Sequence, residues 1–313
     1  MIALQYARFG EPAEVVSPED LPVPEPRDGE VLLRLVRSPI HNHDLATIRG
    51  VYGVRPSLPA VGGTECLGIS GGKRFACLTR GAWAQDVVAP SAGLVPVPDA
   101  IDDNRGAQLL AMPLSTVVLF DELRVERGTW IAQNAANGTV GRILMLLAQE
   151  AGVNIVNFVR REEAARELRD LGAAHVIVTQ GDGWQARARE LTGGAGFARI
   201  VDSVAGPESL NLQALLAQYG ELIVFGGLSG SAMKLAPGLM IAQESVVRGF
   251  WMNSWMLRAT SAQREGALRR VFDLALAGRL PLPAAGVYPL KDAAAALRAA
   301  EEPGRSGKVL FAP

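Results

Sequence analysis

The chain has 313 residues, enough for two domains that each bury a core, with 49% apolar residues, 20% charged residues and a formal net charge of −1. That balance excludes a broad electrostatic attraction to nucleic acid or an anionic membrane, so any bound anion must be held by a local site. Two cysteines, Cys66 and Cys77, with no CxxC pair, exclude a disulfide framework and a structural zinc ribbon, and as reduced, buried thiols they point to a cytoplasmic setting.

The amino-terminal stretch MIALQYARFGEP has no basic segment followed by a long apolar one. Nor does any apolar run reach the roughly 18 residues that cross a membrane. The first hundred residues read as β-rich. Short apolar segments such as Val31–Val36 and Trp83–Ala89 are separated by turn material, including Pro22 to Pro26 and Gly71-Gly72-Lys73, and prolines from Pro12 to Pro98 argue against long helices. Helical periodicity begins at Ala107–Leu123. From there strand-like and helix-like segments alternate: strand Trp130–Asn134, helix Val140–Gly152, strand Ile155–Val159, helix Glu162–Leu171. Val176–Val178, Ile200–Ser203 and Leu222–Phe225 read as further buried strands. The carboxy-terminal part predicts helices at Gln263–Ala277 and Lys291–Ala300, with strands near Val287 and at Lys308–Phe311. An α/β fold follows, with a doubly wound parallel sheet after a β-rich part. The closing segment is expected to return to that first part.

The strongest motif is Gln133-Asn134-Ala135-Ala136-Asn137-Gly138-Thr139-Val140-Gly141, an A-x-G-x-x-G turn after a strand and before a helix. Gly138 lets a backbone approach a pyrophosphate, and Gly141 lets helix pack on strand. Free N–H groups at the helix start suit a dinucleotide, which makes Asn134, Asn137, Gly138, Thr139 and Val140 candidate cofactor residues. The second strand ends Val159-Arg160-Arg161, without the carboxylate that binds the ribose of NAD. Arg160 and Arg161 therefore favour the 2′-phosphate of NADPH over NADH. The competing account is a plain tight turn and two arginines that open a solvated helix.

The segment Ile40 to Gly63, IHNHDLATIRGVYGVRPSLPAVGG, resembles the amino-terminal signature of zinc-independent medium-chain dehydrogenase/reductases. Within them it is most similar to mitochondrial-type 2-enoyl thioester reductases and quinone oxidoreductases. GEPAEVV, QNAANGTVG and RGFWMNSWM agree. The resemblance implies a GroES-like β-rich catalytic domain (1–110 and 253–313) and a Rossmann NADPH-binding domain (111–252), with a homodimer through the latter. Zinc alcohol dehydrogenases carry a cysteine and a histidine where this chain has His41 and Thr64, so no metal is expected. His41, His43 and Glu65 make a conceivable replacement set, but an extended segment would turn the two histidines to opposite sides.

By the same resemblance, Tyr52 is the proton donor or carbonyl orienter, as a phenol that stays neutral at pH 7. His41 stands where relatives often have asparagine, and either it or Asn42 is a candidate donor; a histidine satisfied by local backbone is the alternative. Trp251 and Phe250 are expected near the nicotinamide, or else in the core or a subunit interface. Thr116 and the Gly226-Gly227 pair are further cofactor candidates. Arg49, Arg55 and Arg258 suggest a modest basic rim, as coenzyme A or an acyl carrier protein would need. Between Leu67 and Trp83 the chain is shorter than its relatives, which weakens the case for thioester specificity. Reduction of an enoyl thioester is thus the first expected function. A quinone or enone reductase, and a non-catalytic NADPH-binding protein, are the alternatives.

Overall fold

The computed structural model describes every residue from Met1 to Pro313 and divides into two compact units. One contains Met1–Leu114 and Leu268–Pro313, the other Ser115–Ala267. The sequence places the second crossing at 252/253. In the structure it falls inside the helix Ser261–Leu276.

The first unit is built on a mixed sheet. Its long strand Glu30–Pro39 pairs antiparallel with Glu65–Ser70, with Asp86–Pro90 and with the closing strand Lys308–Ala312, where Leu310 faces Pro39. The chain's end is thus a core strand of the unit that contains its beginning. Lys73–Leu78 follows Glu65–Ser70 through a two-residue hairpin, with Ser70 opposite Lys73. Gly71 and Gly72 both have positive φ, 55° and 76°. A two-residue turn of this kind matches the right-handed strand twist, so the short passage after Leu67 is a minimal hairpin. A second, three-stranded sheet joins Ser17–Asp20, Ile2–Tyr6 and Ala60–Val61.

The core of this unit gathers around Trp83, fully buried and edge-on to Phe311. Gly62 and Gly63 pass directly beneath the indole. A Cβ on either would come within 2.4 Å of its ring atoms. This approach leads the chain through Thr64 into the strand that begins at Glu65.

The second unit has six parallel strands in the order His175–Val178, Asn154–Val159, Trp130–Gln133, Phe197–Asp202, Leu216–Val224, Val246–Gly249. Numbered along the chain, that order is 3-2-1-4-5-6, the doubly wound dinucleotide arrangement. Trp130–Gln133 is followed by the helix Thr139–Ala151, and Asn154–Val159 by Glu162–Asp170. Helix Thr139–Ala151 ends at Gly152 in the left-handed region, φ 68°, as a helix C-cap requires. Phe158, Phe197 and Trp184 pack edge to face in the core on one side of the sheet.

Several short elements lie outside the sequence reading. Of Ala107–Leu123 only Met112–Leu123 is α-helix, and a short helix, Asp103–Gly106, ends just before the stretch. Helices Asn42–Ile48, Trp184–Leu191, Ser209–Ala214, Pro237–Gln243 and Met252–Arg258 were not legible in the periodicity. No helix is long and apolar enough to cross a membrane.

Candidate functional site

In the second unit, the candidate cofactor residues converge on one edge. The glycine turn, Arg160-Arg161, Gly226-Gly227 and Phe250-Trp251 each follow a different parallel strand at its carboxyl end. That edge is where open α/β sheets bind ligands. Thr116 differs: it is fully buried on Met112–Leu123.

The turn itself is built for close approach. A Cβ on Gly141 would lie 2.4 Å from the Ala136 carbonyl oxygen, so only glycine lets this helix meet this strand. Gly138, the helix N-cap, has φ −74° and is exposed. A Cβ there would meet only the Ala135 carbonyl oxygen, at 3.3 Å. Space beside Gly138 is open, and the amides that follow it head the helix. Asn137, Thr139 and Val140 are all partly exposed around it.

Buried Arg142 steadies the turn: its Nε donates to the Asn137 carbonyl at 2.8 Å, and Nη2 pairs with Glu167 at 2.6 Å. Asn134 is engaged on both sides, donating to Asp202 Oδ1 at 2.6 Å and accepting from the Ser203 amide at 2.7 Å. Asp202 also takes the Val204 and Ala205 amides and the Ser209 hydroxyl, so it ties the ends of two neighbouring strands together. Sequence reasoning missed Arg142 and Asp202; the only signal was a charged residue inside an apolar helix and at an apolar strand's end.

Arg160 and Arg161 are exposed. The carboxylates just after them are taken elsewhere, Glu162 by Arg169 and Glu163 by Arg166. Two guanidiniums therefore stand at the second strand's end without a competing acid, which fits a 2′-phosphate. Gly226 approaches Ser203 so closely that a Cβ would come within 2.7 Å of its carbonyl oxygen, whereas Gly227 faces open space. Phe250 is buried and stacks on Phe225 at 5.9 Å between centroids, while Trp251 is 51% exposed. Arg248, Gly249, Phe250, Trp251, Ser254 and Arg258 line one depression. The turns and the two arginines thus fit a phosphorylated dinucleotide.

In the first unit, the segment His41–Asp44 is not extended. His41 is the N-cap of helix Asn42–Ile48, and its amide donates to Asp44 Oδ2 at 2.9 Å. This corrects the expectation that His41 and His43 face opposite ways. Their rings stack, with centroids 4.9 Å apart and planes 14° from parallel. His41 is buried, and its Nε2 lies 2.7 Å from Glu65 Oε2. Glu65 Oε1 accepts the amides of Leu110 and Ala111 at 2.6 and 3.0 Å. Asn42 is exposed.

This polar hub is desolvated, with consequences for its charges. Burial raises the Glu65 carboxyl to about 7 and pushes the His41 imidazole well below its usual value. Lys308, buried at the start of the closing strand, is lowered to about 8 by burial and by nearby Arg305, against the pull of Asp44 and Glu65. Glu65 is committed to His41 and to two backbone amides, and no group of three or more His, Cys, Asp or Glu side chains is arranged to hold a metal ion. Glu65 and Lys308 were not singled out as a buried hub from the sequence, whose only signal was one charge at the start of each apolar strand.

Tyr52 is partly buried in the turn after this helix, its ring 5.9 Å from that of His43. The expected basic rim is largely neutralised. Arg49 is held by Glu11 at 2.8 Å and by Glu301, and Arg258 by Glu122 at 3.2 Å. Arg55 lies over the Phe9 ring at 4.8 Å. Surface carboxylates distant in sequence cancel what local spacing suggested.

Comparison with known proteins agrees with this geometry. Residues 139–271 match the family model described as zinc-binding dehydrogenase. A mitochondrial enoyl-[acyl-carrier-protein] reductase of Caenorhabditis elegans is 30% identical over 80% of this chain and 77% of its own length. Among solved structures, a candidate NADPH:quinone reductase from Bacillus thuringiensis superposes with a TM-score of 0.92 at 27% identity, covering 100% of this chain and 98% of that one. A mycobacterial protein solved in complex with NADPH gives 0.90 at 28%, with full coverage of both chains.

Proposed function

The chain belongs to the medium-chain dehydrogenase/reductases, as an NAD(P)H-dependent oxidoreductase, and from that premise we propose that it reduces the C=C bond of a 2-enoyl thioester, using NADPH and no metal. The observation that carries this reading is Tyr52 beside His43, next to a His41–Glu65 pair that is already committed internally. Reduction across C=C needs hydride at the β-carbon, a proton at the α-carbon and a donor to the developing enolate oxygen. Bound NADPH supplies the hydride. Gly138, Thr139 and Val140 would hold its pyrophosphate, and Arg160 and Arg161 its 2′-phosphate.

The chain's own groups must provide the proton and the oxygen donor. Protonation at carbon is slow without a positioned acid, whereas the oxygens of a reduced quinone exchange protons with water directly. A neutral phenol at Tyr52 is suited to the slower task. Phe250 and Trp251 would cover the nicotinamide end of the cofactor. The edge strand Val246–Gly249, with Val246 47% exposed, supports a homodimer formed at that edge.

A second reading, an uncharged quinone or enone as acceptor, is favoured by the ion pairs that neutralise Arg49 and Arg258. The test is NADPH oxidation with a short trans-2-enoyl-CoA, a simple quinone and an alkyl enone, for the parent and Tyr52→Phe. Thioester turnover that drops on the order of 100-fold in the variant supports the first reading. Turnover of the quinone or the enone without the thioester moves the protein to the second.

A further inference from the structure

The sequence considered His43 only as a metal ligand, yet its surroundings define its proton positions. Its Nε2 is 2.7 Å from Thr64 Oγ1, and Thr64 Oγ1 donates to Asp44 Oδ1 at 2.7 Å. A hydroxyl has one proton. With that proton on Asp44, Thr64 can only accept from His43, so Nε2 keeps its hydrogen in both charge states of the ring. Gain and loss of a proton are then confined to Nδ1.

Charged side chains of both signs surround this ring. Asp44 is buried, fixed through its other oxygen by the His41 amide, and 3.7 Å from His43 Nε2. Glu65 also interacts with this ring electrostatically, although burial raises its carboxyl to about 7. Opposing them are Lys308 and Arg305, which act on the adjacent His41, and Arg80, which shares the field of Asp44 at Tyr6. His41, stacked on the other face, is held neutral by burial and adds no charge. The His43 side chain is 23% exposed against 1% for His41, so of the two rings it is the one that reaches water. Tyr52 is its aromatic neighbour at 5.9 Å.

We propose that His43 is the proton-supplying partner of Tyr52, held in register by the Thr64–Asp44 chain. The inference rests on the C=C-reduction reading above. With NADPH held by the glycine turn and by Arg160 and Arg161, hydride would be supplied to the β-carbon and the π pair would move to the α-carbon. The Tyr52 O–H bond breaks as the α-C–H bond forms. The His43 Nδ1 proton passes to the phenolate oxygen, and the neutral imidazole takes a proton from water. Substrate gains two electrons, NADPH loses two, and one solvent proton is consumed. His43 thereby acts through Tyr52, and its contribution is to kcat and its pH dependence.

The first readout needs neither cofactor nor turnover. The chain has three histidines, so nitrogen-15 NMR of the unliganded protein, with His43→Gln to assign the signal, resolves the tautomer. The expected result is a protonated Nε2 and a titrating Nδ1 at His43, retained in Thr64→Ser and lost in Thr64→Val. A neutral ring protonated at Nδ1 overturns the chain of donors. The second readout is kcat against pH for the parent and for His43→Gln, whose amide can still reach Thr64. In the parent, kcat should fall as pH rises through the value that NMR gives for His43. The variant should lose that limb and about 100-fold in kcat, with KM within about threefold and an unaltered melting temperature. A variant that keeps both the rate and the limb overturns the proposal. A parent inactive on both the thioester and the enone but active on quinone overturns the C=C reading itself, and is told apart because the parent alone reveals it.

Discussion

Two glycines of the same turn, Gly138 and Gly141, separate cofactor binding from packing. In Gly141→Ala the new Cβ would sit 2.4 Å from the Ala136 carbonyl oxygen and 2.5 Å from its Cα. Both atoms are backbone, so no side-chain rotation relieves the clash and the helix Thr139–Ala151 must withdraw from the strand. Overpacking of this kind costs about 1–3 kcal/mol. At roughly 2–4 °C per kcal/mol for a unit of this size, the melting temperature should drop by several degrees. In Gly138→Ala the backbone already has φ −74° and ψ 168°, open to any residue, and the Cβ meets one carbonyl oxygen at 3.3 Å. The expected stability change is below about 1 kcal/mol. That Cβ would nevertheless occupy the surface on which the pyrophosphate rests. A loss of about 10- to 100-fold in NADPH affinity follows, at about 1.4 kcal/mol per decade. Fluorescence titration with NADPH and thermal melts of both variants provide the assay. Gly138→Ala binding as tightly as the parent would refute the turn as a phosphate cradle. Gly141→Ala melting within a degree of the parent would refute the packing argument.

The double variant Arg160→Ala/Arg161→Ala should lose about 10- to 100-fold in NADPH affinity while NADH affinity changes little, because charge-assisted hydrogen bonds of about 1.5–3 kcal/mol go only to the 2′-phosphate. Parallel titrations check this, and equal losses for both nucleotides would sink it. For Glu65, burial raises the carboxyl from its usual 4.5 to about 7. Between those values the folded chain keeps a proton that the unfolded chain has released, so this group makes stability fall as pH rises through that window. Compared with the parent, Glu65→Gln should therefore gain up to about 1.4 kcal/mol per pH unit between 4.5 and 7, and nothing further below 4.5. Urea melts at pH 4, 5, 6 and 7 read the difference, and a parent–variant gap that does not move with pH would contradict the assignment.

Local pattern alone determined much of the second unit. Strands Trp130–Gln133 and Asn154–Val159, helices Thr139–Ala151 and Glu162–Asp170, and the glycine turn between the first two are each encoded by adjacent residues: apolar spacing, a helix start and a glycine with no room for a Cβ. The return of Lys308–Phe311 as a strand was also legible. Seven-residue helices such as Asn42–Ile48 and Pro237–Gln243 were not, since two turns carry too little periodicity to register. What only the tertiary structure decided is the state of the polar groups. Glu65 meets His41 from another strand, Lys308 comes from the far end of the chain, and Thr64 closes the path from His43 to Asp44. Arg49, read locally as a free cation, is neutralised by Glu11 and Glu301. Backbone periodicity is a property of neighbours in sequence, but a side chain's charge depends on the water it loses and the partners it gains, and both are set by residues that only the fold brings together.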